Sequence, residues 1–569
     1  MHARLTRALL RLTQPWREMP WVLLIIVFLA AQAMVSATNT PLGYAPDEIP
    51  HLSYVRDGMA SPSLMPDYAH GTTIGFRQPN YLSHPPLYYS SLAAIGKLFH
   101  LDPKGNYLIF RALGVAYVSL GLMVMALVAR QLGIGAGTTA LVLLSCAAVP
   151  MFPYLAGSVT NDTLLYLGVT LAVYGLVLSL KAREGLQSAY TWPLLLGLLI
   201  TFLTKATGMA FLVFFFLIYA VLSVRQVRPV ALMRHVWLPS IAFALIVGGY
   251  YIGTYLTHGS LFPRAGSLYN VAPPANLLNF QGYAGEFFSS MWRRLPGIVS
   301  HLSVAPLPQS LAPVFYGMLM LPLVGWVIVR WSPPLLEPKP RVIQLFDAFG
   351  LAGVATITIH LVLGYRTYLG NGVLSGFQPR YYAYFLPLMW LPFFALCRDG
   401  WFRQLVTALF ALATVVSFWG TVPFVQLRQQ EAKQSIEQGF VYQTPSPGAK
   451  IKHAQLVLRE QVTGHLDELT WNGSVLKGRG WVFDTEKSDS VQRLWILSGG
   501  RFVTAVKVQA ARPDVAIATG SPKAEFAGFA FALRGLPNEN TTLCGFSLLA
   551  EFRDGTFGQL PVNDCPVDN

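Results

Sequence analysis

The sequence predicts a polytopic α-helical membrane protein with a C-terminal soluble β-sandwich domain, and three observations carry that expectation. Of its 569 residues, 53% are hydrophobic and only 12% are charged, against roughly 25% charged in an ordinary water-soluble domain. Apolar runs near the length that spans a hydrocarbon core recur as far as residue 425, giving about eleven spans. The charge is also unevenly spread: residues 1–425 hold 26 basic and 12 acidic residues, whereas residues 426–569 hold 15 of each. The whole excess of +14 therefore sits in the apolar part. Arginines there flank greasy runs, which reads as membrane topology and not as nucleic-acid binding.

The runs centre on 21–37, 107–129, 136–155, 162–180, 189–204, 207–223, 236–256, 312–330, 346–364, 381–397 and 404–425. Arg4, Arg7, Arg11 and Arg17 precede the first run and imitate a secretory signal. With so many runs following, an uncleaved first helix is expected. Lys205 divides 189–223, which reads either as two short helices or as one long tilted helix. With the N-terminus inside, the inner ends and loops receive Arg130, Lys181, Arg183, Arg225, Arg228, Arg234, Arg330, Lys339, Arg341, Arg398 and Arg403, as the positive-inside rule requires. An odd span count then puts two long loops, about 38–106 and 258–311, on the outer side together with the tail. The organisation expected is a membrane domain over 1–425, a helical neck over 426–450 and a β domain over 451–569.

In the tail, alternation and turn signals mark strands at 473–483, 491–498, 501–509, 526–534, 543–552 and 557–562, the pattern of a small sandwich. Trp481 is either a sugar platform or, with Phe529, core; Arg512 and Asp514 are expected to tie a turn. Cys146 and Cys397 fall in apolar runs and are expected to pack as small hydrophobes. Cys544 and Cys565 form one disulfide if the tail faces an oxidising compartment.

Chemistry concentrates in the outer loops. The first contains Pro46-Asp47-Glu48-Ile-Pro-His51, just beyond the first span. Adjacent acids at a membrane surface suit a general base that takes a proton from an acceptor hydroxyl; they equally suit the first turn of a helix, whose dipole favours acids. His84-Pro85-Pro86-Leu87-Tyr88 follows, in which His84 is a phosphate or metal ligand or a structural residue before the helix that Pro86 begins. Asp162 in Asn161-Asp162 and Lys205 lie at outer helix ends, where ionisable groups are functional candidates, although Asn161 and Asp162 also suit a helix cap. Gln378-Pro379-Arg380-Tyr381 opens a late span; its guanidinium either grips phosphate or anchors at the interface. Arg293, Arg294 and Arg366 are further cations on a face that the positive-inside rule depletes.

In their order, Asp47-Glu48, His84-Pro85-Pro86-Leu87-Tyr88, Asn161-Asp162, Lys205 and Gln378-Pro379-Arg380-Tyr381 resemble the GT-C superfamily of integral-membrane glycosyltransferases, over about residues 15–425. The likeness is greatest to the bacterial multi-spanning branch related to protein mannosyltransferases and aminoarabinose transferases. One departure is Pro379, where relatives usually carry Gly. The tail, through Gly478-Arg-Gly480-Trp481, Arg512-Pro513-Asp514 and Gly528-Phe529, resembles a β module fused to bacterial glycan-handling enzymes.

The resemblance implies a polyprenyl-phosphate sugar donor, a glycan or glycolipid acceptor and inverting transfer on the periplasmic side of the bacterial inner membrane. It further implies Asp47 as base with Glu48 in support. His84, Lys205 and Arg380 would hold the lipid phosphate, with Tyr88, Asp162, Arg293, Arg294, Arg366 and Tyr381 as substrate contacts. No nucleic acid is implied. No zinc-type Cys and His spacing is present, and the resemblance leaves a divalent metal ion at Asp47 and Glu48 open. The competing classes are a transporter or flippase of lipid-linked sugars, which would place ionisable groups at mid-membrane and show an internal repeat, and a non-catalytic envelope-assembly scaffold, for which eleven spans are excessive.

Overall fold

The computed structural model describes residues 19–65 (except 41, 43, 44 and 46), 84–181, 188–223, 237–263, 277–295, 310–331, 340–371, 378–382 and 385–437 (except 399). In the C-terminal part it describes 462–471, 475–484, 489–491, 493–498, 501–508, 510, 512–521, 524, 527–534, 546–552 and 556–560.

The helices are α1 (Pro20–Asn39), α2 (Glu48–Ala60), α3 (Leu87–Leu98), α4 (Tyr107–Gln131), α5 (Ala136–Ala148), α6 (Met151–Ala156), α7 (Asp162–Lys181), α8 (Ser188–Phe202), α9 (Ala206–Ser223), α10 (Trp237–His258), α11 (Phe280–Arg294), α12 (Ala312–Trp331) and α13 (Pro340–Asn371). A 3-10 turn at Pro379–Tyr382 precedes α14 (Phe385–Leu396) and α15 (Trp401–Glu437). Among the described residues, six helices are long and apolar enough to cross a membrane: Pro20–Asn39, Tyr107–Gln131, Ala206–Ser223, Ser240–His258, Val342–Gly370 and Trp401–Gly420. Shorter apolar helices occupy the other sequence runs.

Local chemistry explains the boundaries. Pro20 opens α1 at a first-turn position, where its missing N–H removes no hydrogen bond. The run 136–155 breaks between α5 and α6 at Val149-Pro150, because proline cannot supply the next amide donor. The alternatives left open at 189–223 resolve as two helices, α8 and α9, parted at Leu203-Thr204-Lys205. Carbonyls at this break find partners elsewhere: Leu203 O accepts from Leu87 N (2.9 Å) and Thr204 O from Asn161 Nδ2 (3.3 Å).

The largest core joins α1, α4, α5, α6 and α7 to α9 and α12 through α15, with Val22, Leu122, Leu143, Phe215, Phe346, Trp390 and Phe394 inside it. Cys146 and Cys397 pack there as small hydrophobes. Leu24, Val27, Leu245, Leu256, Val354 and Trp419 are large, apolar and exposed. That much apolar surface is what hydrocarbon would cover. Between two of the spans, α11 packs Tyr283 and Phe287 against Leu361 and Tyr368 of α13.

The C-terminal part folds as β1 (Thr463–Trp471), β2 (Val475–Asp484), β3 (Asp489–Ser490), β4 (Arg493–Ser498), β5 (Arg501–Lys507), α16 (Pro513–Thr519), β6 (Gly528–Arg534), β7 (Phe546–Glu551) and β8 (Phe557–Leu560). One antiparallel sheet pairs β2 with β1, β3 and β6; the other has the order β5-β4-β7-β8. Leu466, Leu476, Val482, Phe529 and Phe531 of the first sheet share one core with Leu494, Ile496, Phe546, Leu548 and Leu560 of the second, which makes a sandwich. Gly480 is required where β2 passes β1: a Cβ there would stand 2.2 Å from the His465 carbonyl oxygen. Phe529 is core, Trp481 is half-buried beside Phe483 and Val515, and Arg512 ties Asp514 and Asp467 at 2.7 Å each. Cys544 and Cys565 lie outside the described residues.

Candidate active site

The site is built from segments that meet at the ends of α1, α2, α7, α8 and the 3-10 turn. Its frame is a buried clasp. Arg111 of α4 donates from Nε to Glu48 Oε1 (2.7 Å) and from Nη2 to Glu48 Oε2 (2.6 Å). Its Nη1 reaches the carbonyls of Ala37 (2.5 Å) and Thr40 (2.6 Å) at the end of α1. Glu48 Oε1 also accepts from the Val159 amide (3.2 Å), just before α7. Both side chains are fully buried, and this bidentate pairing fixes the start of α2 against two spans.

An aromatic cluster locks α2 to α3. His51 Nδ1 and the Tyr89 hydroxyl share a hydrogen bond of 2.8 Å, the Tyr54 hydroxyl donates to the His84 carbonyl (3.1 Å), and Tyr88 and Tyr89 meet edge to face. The His51 and His84 rings stack at 6.1 Å.

Against this frame stand two ion pairs. Asp47 occupies the cap position of α2 with left-handed backbone (φ 59), and its side chain makes no capping hydrogen bond. Instead it pairs with Arg380 of the 3-10 turn, so the first-turn reading accounts for its place in the chain and not for its carboxylate. Lys205 pairs with Asp162 at 2.5 Å, and Asp162 Oδ2 accepts from the Thr160 hydroxyl (3.1 Å). Tyr381 joins the pairs: Lys205 Nζ lies 4.7 Å, and Arg380 Cζ 5.3 Å, from its ring centre. Burial, with the Lys205 cation next in effect, pushes the His84 imidazole down to about 3. Burial and His84 also hold His51 well below the usual imidazole range. Both rings are therefore neutral hydrogen-bonding groups at ordinary pH.

Beside the pairs, a small cleft is lined by polar Asp162, Thr163 and Arg380 and by apolar Val118, Phe152, Leu155, Ala156 and Tyr166. The lining thus sets a carboxylate and a guanidinium beside apolar groups.

Asp47, His84, Asp162, Lys205, Arg380 and Tyr381 thus assemble, although Asp47 and Arg380 are 333 residues apart in the chain. Others expected with them do not. Glu48 is paired with Arg111 and Asp47 with Arg380. Among the described residues no group of three or more His, Cys, Asp or Glu is placed to hold a metal ion. Tyr88 is buried in the aromatic core. Arg366 is exposed on α13, outside the assembly, and Arg294 is half-buried at the end of α11. The side chain of Arg293 lies outside the described residues.

Sequence reasoning counted Arg111 among the outer-facing cations expected to meet an anion, as it does in Glu48, but gave it no place in the site, and it gave no role to His51 or His360. His360 of α13 is 2.5 Å from the Tyr382 hydroxyl, and its ring lies 5.5 Å from Tyr381 and 5.6 Å from Phe287. It thereby connects α11 to the turn that carries Arg380. A charged or imidazole group inside an apolar run was the available signal for Arg111 and His360.

No family model and no curated protein matches the sequence. Among solved structures the chain is similar to ArnT from Cupriavidus metallidurans bound to undecaprenyl phosphate, with 17% identity and a TM-score of 0.36 over 76% of this chain and 82% of that one. It is also similar to the Archaeoglobus fulgidus oligosaccharyltransferase. The form tethered to an acceptor peptide gives 12% identity and a TM-score of 0.40, and the apo form 11% and 0.43. Each covers 73% of this chain and 56% of that one, so the chain spans little more than half of the archaeal enzyme.

Proposed function

We propose that this protein is a membrane glycosyltransferase of the GT-C kind, which moves a sugar from a polyprenyl-phosphate donor to a cell-surface glycan or glycolipid. In this reading the reaction takes place on the periplasmic side of the bacterial inner membrane, with the N-terminus cytoplasmic and the β domain periplasmic. The observation that carries the reading is the assembly of Asp47, Arg380 and Lys205 beside a cleft that is polar in one part and apolar in the rest.

The acceptor hydroxyl attacks the anomeric carbon from the face opposite the phosphate, and its proton passes to the Asp47 carboxylate. The new bond joins anomeric carbon to acceptor oxygen; the bond that breaks joins the same carbon to the phosphate oxygen, so configuration inverts. Arg380 and Lys205 neutralise the charge that grows on the departing lipid phosphate. Neutral His84 donates a hydrogen bond to it instead of a full charge. Asp162 holds Lys205 in place, and Glu48 acts on the site through the helix it anchors.

The test is transfer of radiolabelled sugar from a panel of polyprenyl-phosphate sugars to extracted envelope glycolipid by the purified protein. Asp47→Asn is expected to lower the rate by about 10²–10⁴-fold. Equal transfer by both proteins removes Asp47 as the base. Movement of lipid-linked sugar across liposomes without any transfer replaces the enzyme with a transporter.

A further inference from the structure

The two ion pairs of the site are built differently. Lys205 and Asp162 are both almost wholly buried, and Thr160 restrains the carboxylate. Arg380 is equally buried, at 3% side-chain exposure, but its partner Asp47 is 26% exposed and makes no capping hydrogen bond at the start of α2. Asp47 is thus the more accessible partner of the pair, and Arg380 also rests against the Tyr381 ring. Arg380 also lines the cleft. A ligand entering there meets a guanidinium that already holds an internal anion.

We infer that a phosphate anion and the Asp47 carboxylate compete for Arg380, so that arrival of the donor's phosphodiester releases Asp47 and the donor binds before the acceptor is activated. This rests on the reading of Arg380 as a ligand of the donor phosphate. Phosphate fits the exchange because two of its unesterified oxygens accept the guanidinium fork bidentately, in a monoester and a diester alike. The exchange has a chemical use, since a carboxylate relieved of a neighbouring cation is a stronger base. Asp47 then gains basicity only once the leaving group is seated.

The experiment measures calorimetric binding of decyl phosphate and of inorganic phosphate to the full chain in detergent, for wild type, Asp47→Asn, Asp47→Ala, Asp47→Glu and Arg380→Gln. Removing the competitor is expected to tighten phosphate binding at least about tenfold in Asp47→Asn, as for other partly buried charge pairs. Asp47→Ala serves if the Asn variant does not fold. Asp47→Glu keeps the competitor and should stay near wild type, and Arg380→Gln should lose binding. Tightening with both probes supports exchange with the phosphate group itself; tightening with decyl phosphate alone supports exchange with a lipid-borne phosphate. Binding that Arg380→Gln abolishes but Asp47→Asn leaves unchanged or weakens overturns the exchange and leaves the phosphate reading standing. Absence of binding by every protein, wild type included, overturns both.

Discussion

Asp47 and Glu48 are neighbours in the chain, yet their carboxylates are taken by different arginines at opposite ends of the membrane domain's sequence. Glu48 is sealed against Arg111 of α4, and Asp47 reaches Arg380 of the 3-10 turn. The left-handed backbone at Asp47 accompanies this split. One acid holds the scaffold together and the other stands at a partly open site.

Glu48→Gln is therefore expected to act on stability. It leaves Arg111 buried without its counter-charge, and losing one partner of such a pair costs about 3–5 kcal/mol. A Glu48→Gln, Arg111→Met double variant should recover part of the loss, which thermal unfolding in detergent would show as a coupling between the two sites. Full stability with lost transfer would instead move Glu48 into the chemistry.

Lys205→Met is expected to lower kcat for sugar transfer by about 10²–10³-fold, the range found when one preorganised donor to a developing negative charge is removed. Asp162→Asn should have a smaller effect, because Lys205 keeps its contact with Tyr381. Initial rates at saturating donor distinguish this from a change confined to KM, which would make Lys205 a binding group only.

The two stacked imidazoles make stability depend on pH. His84 is pushed down to about 3 and His51 is lowered as well, so across mildly acidic pH the unfolded chain takes up protons that the folded one refuses. Their contribution is complete above the unfolded value near 6.5 and is lost progressively as pH falls from there toward 3. Melting temperature should decline over that interval, and His84→Gln should flatten the decline. An unchanged slope in the variant would contradict the burial of His84 as a neutral ring.

In the β-sandwich, Glu551 accepts from Trp495 Nε1 (2.7 Å) and from Arg493 Nη2 (2.9 Å) while buried. Trp495→Phe removes the indole donor and should cost about 1–3 kcal/mol, since the carboxylate loses a partner it cannot replace with water. A thermal shift of the full chain below the smallest of these effects would show that Arg493 alone satisfies Glu551.

Much of the frame was legible along the chain. Apolar runs marked the membrane helices because each must satisfy its own backbone hydrogen bonds while facing hydrocarbon, a requirement of a single segment. Strands β2 and β4 through β8 were likewise visible as alternation bounded by turns. The first strand, β1, was not: its sequence Thr-Gly-His-Leu-Asp-Glu-Leu-Thr-Trp has little apolar alternation, and only pairing with β2 makes it a strand. The site was half legible. Asp47 and His84 stood out in the first outer loop and Asp162, Lys205 and Arg380 as ionisable groups at span ends, whereas Arg111 and His360 lay inside apolar runs.

What composition and pattern could establish was a membrane helix bundle with a β tail and a short roster of groups costly to bury there. Which carboxylate meets which cation belongs to the folded chain alone. Asp47 and Glu48 differ by a single step along the backbone, and local sequence assigns them the same helix terminus. Only the convergence of α1, α4 and the Val159 segment on one, and of the Arg380 turn on the other, separates anchor from candidate base. Electrostatic partnership falls steeply with distance in space and pays no regard to distance in sequence.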